Sequence, residues 1–273
     1  MSGGLQERLA IVMAHPDDEV LWAGSMLRAA EKIVLVFGEL KCGPQLTAGR
    51  REAMAAFPLP TLEWLEMVEA GTFDSASWRN PRETEYGVYP HPSLHVMPSF
   101  DPERYRAQFG QMRDRLRGSL AGMRNVIAHG PWGEYGHEDH VQVFRVVASL
   151  AGEMGFQLWV PAYWAPKSEL LMRRNLRFFG QPSDPMPIDA VLAEEIAQIY
   201  KRTQTWTWFD SYVWPESERF LPWQPDGTGT TRVEDLQRIV FPPDYEANRR
   251  AQLKWKREAL RRRLESFLDT ADP

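Results

Sequence analysis

The sequence predicts an α/β fold with a mostly parallel sheet flanked by helices, and three observations lead to this prediction. Short apolar runs recur through about the first 160 residues, segments with helical periodicity separate them, and the best runs are continuously apolar rather than alternating. Continuous apolarity is typical of strands that are covered on both faces, as in a parallel sheet. The order of strand, helix, strand and helix therefore predicts a doubly wound sheet with right-handed crossovers.

The individual elements follow from the spacing of apolar residues. The predicted strands are LAIVMA, KIVLVF, LEWLEM, NVIAHG and QLWVPA, which begin at residues 9, 32, 62, 125 and 157. Helices are predicted over residues 18–30, 48–57, 102–122 and 138–152. Ligands of such a fold gather beyond the carboxyl ends of the strands. Two clusters of histidine and acidic residues follow the first and the fourth predicted strand.

The pattern changes at residue 161, where prolines and tryptophans interrupt the regular alternation. Helices are predicted over residues 188–202 and 244–268, the second of them strongly basic and expected to be a solvated amphipathic helix. We expect a metal-binding catalytic core over residues 1–160 and an aromatic, proline-rich appendage over residues 161–273. The appendage is expected to complete the same domain and to cover the active site.

Composition narrows the class of partner. The net charge is −5 with both signs mixed, so no basic face indicates nucleic acid and no polybasic run indicates a membrane surface. No apolar stretch approaches the ~20 residues that span a bilayer, and MSGGLQER does not resemble a signal peptide. The lone Cys42 excludes an internal disulfide framework and a Cys-rich zinc module. We expect a cytoplasmic enzyme that acts on a small molecule; its oligomeric state stays open.

The first cluster is AHPDDE, directly after the first predicted strand. His15 would lie at the end of the strand, Pro16 suits the first helical position, and Asp17 and Asp18 fall in the first helical turn. An acidic helix start stabilised by the helix dipole is one interpretation. The other is that His15 and Asp18, three residues apart at this corner, converge on one cation.

The second cluster is HGPWGEYGHEDH, with histidines at 129, 137 and 140. His137 and His140 would lie on the same side of the helix that follows. Two histidines and one carboxylate with an open position for water form a common catalytic zinc site, and His15, Asp18 and His140 would supply it. The same ligands also suit iron(II).

Three further residues of these clusters would lie beside the metal without binding it. Asp17 could take the proton of a water molecule as general base. His137 could stabilise an oxyanion or protonate the leaving nitrogen. Asp139 could orient the ring of His137 or cap the helix.

The pair of motifs AHPDDE and GHEDH resembles the PIG-L/LmbE family of zinc-dependent N-deacetylases. Members of that family remove acetyl groups from N-acetylglucosamine in glycolipid, mycothiol and bacillithiol pathways and from glycopeptide antibiotic precursors. FGE and GRREAMAAF are weaker matches that extend the resemblance over roughly residues 8–160. AGSM and FPLP depart from the family pattern and leave the substrate open.

The resemblance implies a Rossmann-like fold and one zinc ion per chain, held by His15, Asp18 and His140. It implies that Asp17 is the general base and His137 a catalytic histidine. The expected reaction is hydrolysis of the N-acetyl amide of an amino sugar conjugate. Alternatives are removal of a formyl or long-chain acyl group, cleavage of a sugar-thiol conjugate, and sugar binding without catalysis.

Candidate substrate contacts are Trp132 and Tyr135, which flank His137 in sequence, and Glu39, which follows the second strand. Aromatic faces at a pocket rim can stack on sugar rings, although the many C-terminal aromatics could equally form a local core. Glu19 would supply helix N-terminal charge or contact one of the site residues from behind. Structural roles are favoured over functional ones for four other polar residues, which are two arginines expected on a salt-bridged surface helix and two histidines of a proline-rich loop. The four residues are Arg50, Arg51, His91 and His95.

Overall fold

The computed structural model describes residues 4–41, 43–91 and 100–242. Cys42, His95 and the basic helix predicted over residues 244–268 lie outside these ranges. Within them, no helix is both long and apolar enough to cross a membrane.

The described residues form twelve strands and six α-helices, numbered separately in chain order. Strands β1 to β12 lie at Leu9–Met13, Lys32–Glu39, Leu62–Val68, Glu83–Thr84, Gly87–Val88, Asn125–Ala128, Gln157–Pro161, Tyr163–Trp164, Met186–Pro187, Ser217–Glu218, Phe220–Pro222 and Gln237–Arg238. Helices α1 to α6 lie at Asp18–Trp22, Pro44–Ala55, Pro102–Ser119, Glu138–Met154, Glu169–Asn175 and Ala190–Arg202. Short 3-10 helices lie at Gly24–Met26, Leu176–Phe178 and Val233–Asp235.

Six strands build the central sheet in the order β11-β7-β6-β1-β2-β3. Strands β3, β2, β1, β6 and β7 pair in parallel, and β11 adds an antiparallel edge to β7. The α/β class with a mostly parallel sheet is thus confirmed. The strand order reverses between β1 and β6, so their carboxyl ends border the crevice where ligands bind in such sheets.

Both faces of the sheet are covered, which explains the continuous apolar runs. All five residues of β1 are buried. Ala10 and Val12 pack in one core cluster together with residues of α3 and α4. Leu9, Ile11 and Met13 pack in the other, with residues of α1 and α6. The alternation of side chains along a strand therefore divides β1 between two cores.

Helix α1 is shorter than the predicted helix over residues 18–30. It ends at Trp22, and Ala23 has an extended φ of −145° before the 3-10 helix. The buried carboxyl group of Glu218 accepts a hydrogen bond from the backbone N–H of Ser25 at 2.8 Å. A residue far along the chain thus satisfies a donor that a continuous helix would have paired internally.

The described part of the C-terminal region packs on the first 160 residues at several places. Strand β11 extends the central sheet through β7. The Tyr200 hydroxyl on α6 donates a hydrogen bond to Glu19 at 2.7 Å. Glu19 is therefore a buried contact between α1 and α6, and it also accepts the backbone N–H of Asp17. The division at residue 160 stays a prediction.

Glu218 makes stability depend on pH in a direction that can be tested. Burial raises its pKa to about 7, above the ordinary value of 4.5. The folded state therefore keeps a proton that the unfolded state loses above about pH 4.5, so stability falls as pH rises toward 7, by up to about 1 kcal/mol per pH unit. We expect Glu218→Gln to remove this part of the slope.

Urea unfolding of wild type and Glu218→Gln at pH 5 and pH 7 measures the effect. Glu216→Gln, at a nearby position outside the buried set, is the control. A difference in unfolding free energy between wild type and Glu218→Gln that is the same at both pH values contradicts the prediction.

Candidate active site

The first motif turns sharply at the carboxyl end of β1. Asp17 has a φ of 97°, in the left-handed region that costs a residue with a side chain free energy and often marks functional sites. The Asp18 carboxylate accepts hydrogen bonds from the backbone N–H of His15 at 2.8 Å and from the Trp22 indole at 3.0 Å. The turn and these two donors fix Asp18 close to His15.

The second motif reaches the same crevice through a glycine turn after β6. Gly133 has a φ of 62°, and a Cβ there would lie 2.5 Å from the carbonyl oxygen of His137, so only glycine fits. His137 is the N-cap of α4, and His140 lies in its first turn. Their rings stack with centroids 4.6 Å apart, which places them on the same side, as predicted.

Asp18 lies between two of the predicted ligands. Its Oδ2 is 3.2 Å from Nδ1 of His15 and 3.2 Å from Nε2 of His140. Ligand atoms of a tetrahedral zinc site with bonds of about 2.1 Å are about 3.4 Å apart. Nε2 of His140 is buried and has no hydrogen-bond partner among the described residues. These atoms are therefore suited to a divalent metal.

The structure also brings two other histidines to this point. Nitrogen atoms of His15, His137 and His140 lie within 4.8 Å of one another, and ligand atoms of Asp18, His129 and His140 do the same. Nε2 of His129 already accepts the backbone N–H of Ala14 at 2.9 Å. His129 is thus engaged in holding the end of β1, whereas His140 offers an unused lone pair.

Glu134 is a buried site residue that the sequence analysis did not single out. Its Oε2 lies 2.7 Å from Nδ1 of His140 and 2.9 Å from Nδ1 of His129. Burial opposes its ionisation, but the two histidines lower its pKa to about 2. A carboxylate on Nδ1 places the proton there and turns Nε2 of His140 toward Asp18. In the sequence, the position of Glu134 inside the second cluster was the one feature that could have indicated its role.

Asp139 has a different partner from the one expected. Its carboxylate lies 3.3 Å from Nε2 of His15 and accepts a hydrogen bond from the Thr72 hydroxyl at 3.0 Å. The His137 ring is instead oriented by the backbone N–H of Asp139, which donates to Nδ1 at 3.1 Å. Asp139 therefore orients His15 with its side chain and His137 with its main chain, because the turn at the start of α4 points the carboxylate across the crevice.

The acidic surroundings favour positive charge at His15. Burial alone lowers its pKa, but Glu69, Asp139 and Asp18 together raise the pKa to about 10. Burial also opposes ionisation of Asp18, yet His140 and His129 hold the Asp18 pKa well below its ordinary value. A crevice with this potential attracts a cation.

The surroundings of His137 and of Asp17 shift the pKa of each side chain toward its neutral form. Burial, with the charges of His140 and His15, lowers the pKa of His137 well below 6.5. Its Nδ1 accepts a backbone N–H, so Nε2 of the neutral ring carries the proton and can donate. Burial and the neighbouring Asp18 raise the pKa of Asp17 to about 7, against hydrogen bonds from Thr207.

The aromatic residues of the crevice differ in part from those expected. Tyr135 lies beside His137 and His140, with ring centroids 5.9 Å and 5.4 Å away. Trp132 is fully buried in the core, and its indole donates to the carbonyl of Tyr163 at 2.7 Å. The ring packs against Phe179 with centroids 5.5 Å apart, and a substrate contact of Trp132 stays a prediction.

Phe73 is an aromatic residue of this crevice that the sequence analysis missed. Its ring stacks on His137 with centroids 4.7 Å apart, yet the side chain is 43% exposed. Hydrogen bonds on both sides fix it: Thr72 binds Asp139, and the backbone N–H of Asp74 donates to Glu138 at 3.1 Å. The loop after β3 carries no sequence motif that would have indicated this position.

The remaining polar candidates occupy three kinds of environment. Arg50 is buried and pairs with Glu69 at 2.5 Å, which differs from the expected surface helix. Arg51 is the exposed partner of Glu66 at 2.5 Å. Glu39 is half-buried at the end of β2, and His91 is exposed.

Two curated proteins are similar to this chain. The 1D-myo-inositol 2-acetamido-2-deoxy-alpha-D-glucopyranoside deacetylase of a Nocardioides species is 26% identical over 208 residues, which are 65% of this chain and 68% of that protein. The deacetylase of the same name from Corynebacterium diphtheriae is 27% identical over 179 residues, so this chain spans 57% of its length. The 179 matched residues make up 58% of the present chain. No family model matches.

Solved structures show a similar fold. A deacetylase–teicoplanin complex from the teicoplanin biosynthesis pathway has a TM-score of 0.51 and 14% identity, covering 78% of this chain and 97% of that one. A zinc-inhibited form of teicoplanin deacetylase has a TM-score of 0.50 and 13% identity, with the same coverage of each chain. At these identities, the likeness establishes the shared fold.

Glu134 should control metal affinity through His140. Glu134→Gln keeps the shape but removes the charge that fixes the His140 tautomer, so we expect divalent-metal affinity to fall by about 10- to 100-fold. Competition with a chromogenic chelator measures the dissociation constant. The control is Glu153→Gln, which changes an exposed ion-pair residue of helix α4, the helix that carries His140. This variant should bind metal like wild type. Equal affinity of Glu134→Gln and wild type would show that Glu134 has no such role.

Proposed function

We propose that this chain, a PIG-L/LmbE-like N-deacetylase, hydrolyses the N-acetyl amide of an amino sugar conjugate with the help of one zinc ion. The observation that carries the proposal is the separation of roles around Asp18. Two histidine nitrogens lie 3.2 Å from its carboxylate, while the buried side chains of Asp17 and His137 belong to the same two motifs and take no part in these two contacts. A binding site alone would not require these two groups.

We assign the cation to Nδ1 of His15, Oδ2 of Asp18 and Nε2 of His140. The set of two nitrogen atoms and one oxygen suits zinc, with a position left for water. Zinc in such a site lowers the pKa of a water molecule and polarises the amide carbonyl. A teicoplanin deacetylase of this fold has a zinc-inhibited form, so zinc binds to that protein.

Asp17 is the proposed general base. Its carboxylate is buried next to Asp18 and accepts one proton of the attacking water. The same proton can then pass to the amide nitrogen as the carbon–nitrogen bond breaks. The products are acetate and a free amine, and Asp17 is restored.

His137 is the proposed oxyanion donor. Its ring is neutral, and the backbone N–H on Nδ1 leaves the proton on Nε2. That N–H can donate to the carbonyl oxygen as negative charge develops there, which is a large catalytic contribution in buried sites. Of the two roles open from the sequence, this tautomer favours oxyanion stabilisation.

The substrate is proposed to be a small N-acetylated sugar or glycoconjugate. The curated relatives are named as deacetylases of an N-acetylglucosaminyl inositol. Phe73 and Tyr135 offer aromatic surface next to His137, where a sugar ring could stack. Glu39 stays a candidate contact, and a cytoplasmic location stays a prediction.

We further propose that the appendage covers this crevice. The ring centroid of Trp208, which belongs to the appendage, lies 5.1 Å from that of Tyr135.

Replacement of Asp17 tests the mechanism directly. Asp17→Asn cannot accept the proton, so we expect the hydrolysis rate to fall by about 10²- to 10⁴-fold while zinc binding persists. Release of amine from 1D-myo-inositol 2-acetamido-2-deoxy-α-D-glucopyranoside and related N-acetylglucosaminides measures the rate, and metal analysis measures zinc.

Two controls accompany this measurement. Asp210→Asn alters an exposed carboxylate of the appendage and should leave the rate unchanged. Removal of zinc from wild type with a chelator should abolish hydrolysis, and zinc should restore it. A metal-free wild type with full activity, or an Asp17→Asn enzyme as fast as wild type, would disprove the proposed function.

Phe73 should affect substrate binding more than the chemical step. Phe73→Ala removes an exposed stacking surface worth about 1 kcal/mol, so we expect KM to rise roughly fivefold. Phe73→Tyr keeps the surface and should retain the wild-type KM. Steady-state kinetics on the same sugars measures both, with Val213→Ala as an exposed apolar control. An unchanged KM in Phe73→Ala would exclude stacking on this ring.

A further inference from the structure

Asp17 and Asp18 are adjacent carboxylates with different proposed roles. Both are buried beside the same crevice, and either could offer an oxygen atom to a cation. Asp18 is fixed toward His15 and His140 by the donors described above. A separate set of contacts must therefore keep Asp17 in its own position.

Thr207 provides these contacts from the segment that follows α6. Its backbone N–H and its hydroxyl donate to the carboxylate of Asp17 at 2.9 Å and 2.7 Å. Both bonds end on Oδ2, and no other hydrogen bond to this carboxylate is found among the described residues. Oδ1 is thereby left to accept the proton of water.

The Asp17 main chain is fixed from the same side of the molecule. Its N–H donates to Glu19 at 3.1 Å, and Glu19 in turn accepts the Tyr200 hydroxyl at 2.7 Å. Asp17 has the left-handed φ noted above, and this network bonds to the backbone at that position. Residues of α6 and the following segment therefore control both the backbone and the carboxylate of Asp17.

The two residues before Thr207 are bonded to the end of α6. The backbone N–H groups of Thr205 and Trp206 both donate to the carbonyl of Tyr200, at 2.8 Å and 3.2 Å. Thr205 is buried, and its hydroxyl lies 2.9 Å from that of Thr203. These bonds fix the chain directly ahead of Thr207, which is itself an exposed residue whose hydrogen bonds within the described ranges go to Asp17.

We propose that Thr207 is a positioning residue for the general base. It holds Oδ2 of Asp17 away from the cation, so that Asp18 alone of the two carboxylates binds metal and Oδ1 of Asp17 faces the water. The inference rests on the proposed function, because it takes Asp17 as the base. Misplacement of a catalytic group by about 1 Å can cost about 100-fold in rate.

Substitution of the hydroxyl tests this assignment. Thr207→Val keeps the shape and the backbone N–H but loses one of the two bonds, so we expect kcat to fall by about 10- to 100-fold with KM unchanged. Thr207→Ser restores the hydroxyl and should recover most of the rate. Thr228→Val is the control: it removes an exposed threonine hydroxyl that donates to Asp226 at 2.8 Å and takes no part in the contacts of Asp17. The assay uses the N-acetylglucosaminide that zinc-loaded wild type hydrolyses fastest.

Zinc affinity by chelator competition provides a readout that does not depend on turnover. We expect Thr207→Val to bind zinc at least as tightly as wild type, because its Asp18, His15 and His140 are untouched. Weaker zinc binding in Thr207→Val, a rise in KM without loss of kcat, or no recovery in Thr207→Ser would overturn the inference. A fully active Thr207→Val enzyme would overturn it while leaving the proposed function intact. A wild type that hydrolyses none of the sugars would overturn both.

Discussion

The carboxylate of Asp18 stands between two histidine nitrogens, each 3.2 Å from the same oxygen atom, at the point where the strand order of the sheet reverses. Four buried carboxyl groups lie in this crevice or directly behind it, at positions 17, 18, 134 and 139. A buried charge costs free energy unless it has a partner. Oδ2 of Asp18 therefore requires both histidines, and its position favours the binding of a cation. Much of the local structure serves to supply those partners.

The fold supplies them from two parallel strands and one helix. Strand β1 ends at the first motif and β6 ends just before the second, so neighbouring strands deliver residues more than one hundred positions apart to one crevice. The glycine turn then starts α4 within reach of β1. Glu134 lies in this turn and orients the rings of both His129 and His140 through their Nδ1 atoms. The two rings then differ in what their Nε2 atoms contact. His129 holds the strand end, and His140 presents its free nitrogen.

In the proposed mechanism, the C-terminal region separates the roles of the adjacent carboxylates Asp17 and Asp18. Two residues with similar chemistry next to one another could exchange roles if nothing distinguished their positions. Asp18 is held from its own turn and from Trp22, whereas Asp17 is held from α6 and the segment behind it. The difference between their proposed roles therefore depends on the contact between Asp17 and Thr207, which are 190 positions apart in the chain. A proposed catalytic core without this region would retain the ligands and lose the contact.

The sequence by itself determined the α/β class and the local grouping of the site. Continuous apolar runs predict covered parallel strands, and AHPDDE and GHEDH bring their residues together through neighbours in the chain, because a turn or one helical turn is enough. Only the tertiary structure decided that Trp132 is in the core, that Phe73 stacks on His137, that the Asp139 carboxylate meets His15, and that Thr207 holds Asp17. Each of these outcomes depends on strand order and on the packing of distant segments. Such contacts leave no periodic pattern in the sequence, and so the spacing of residues could not reveal them.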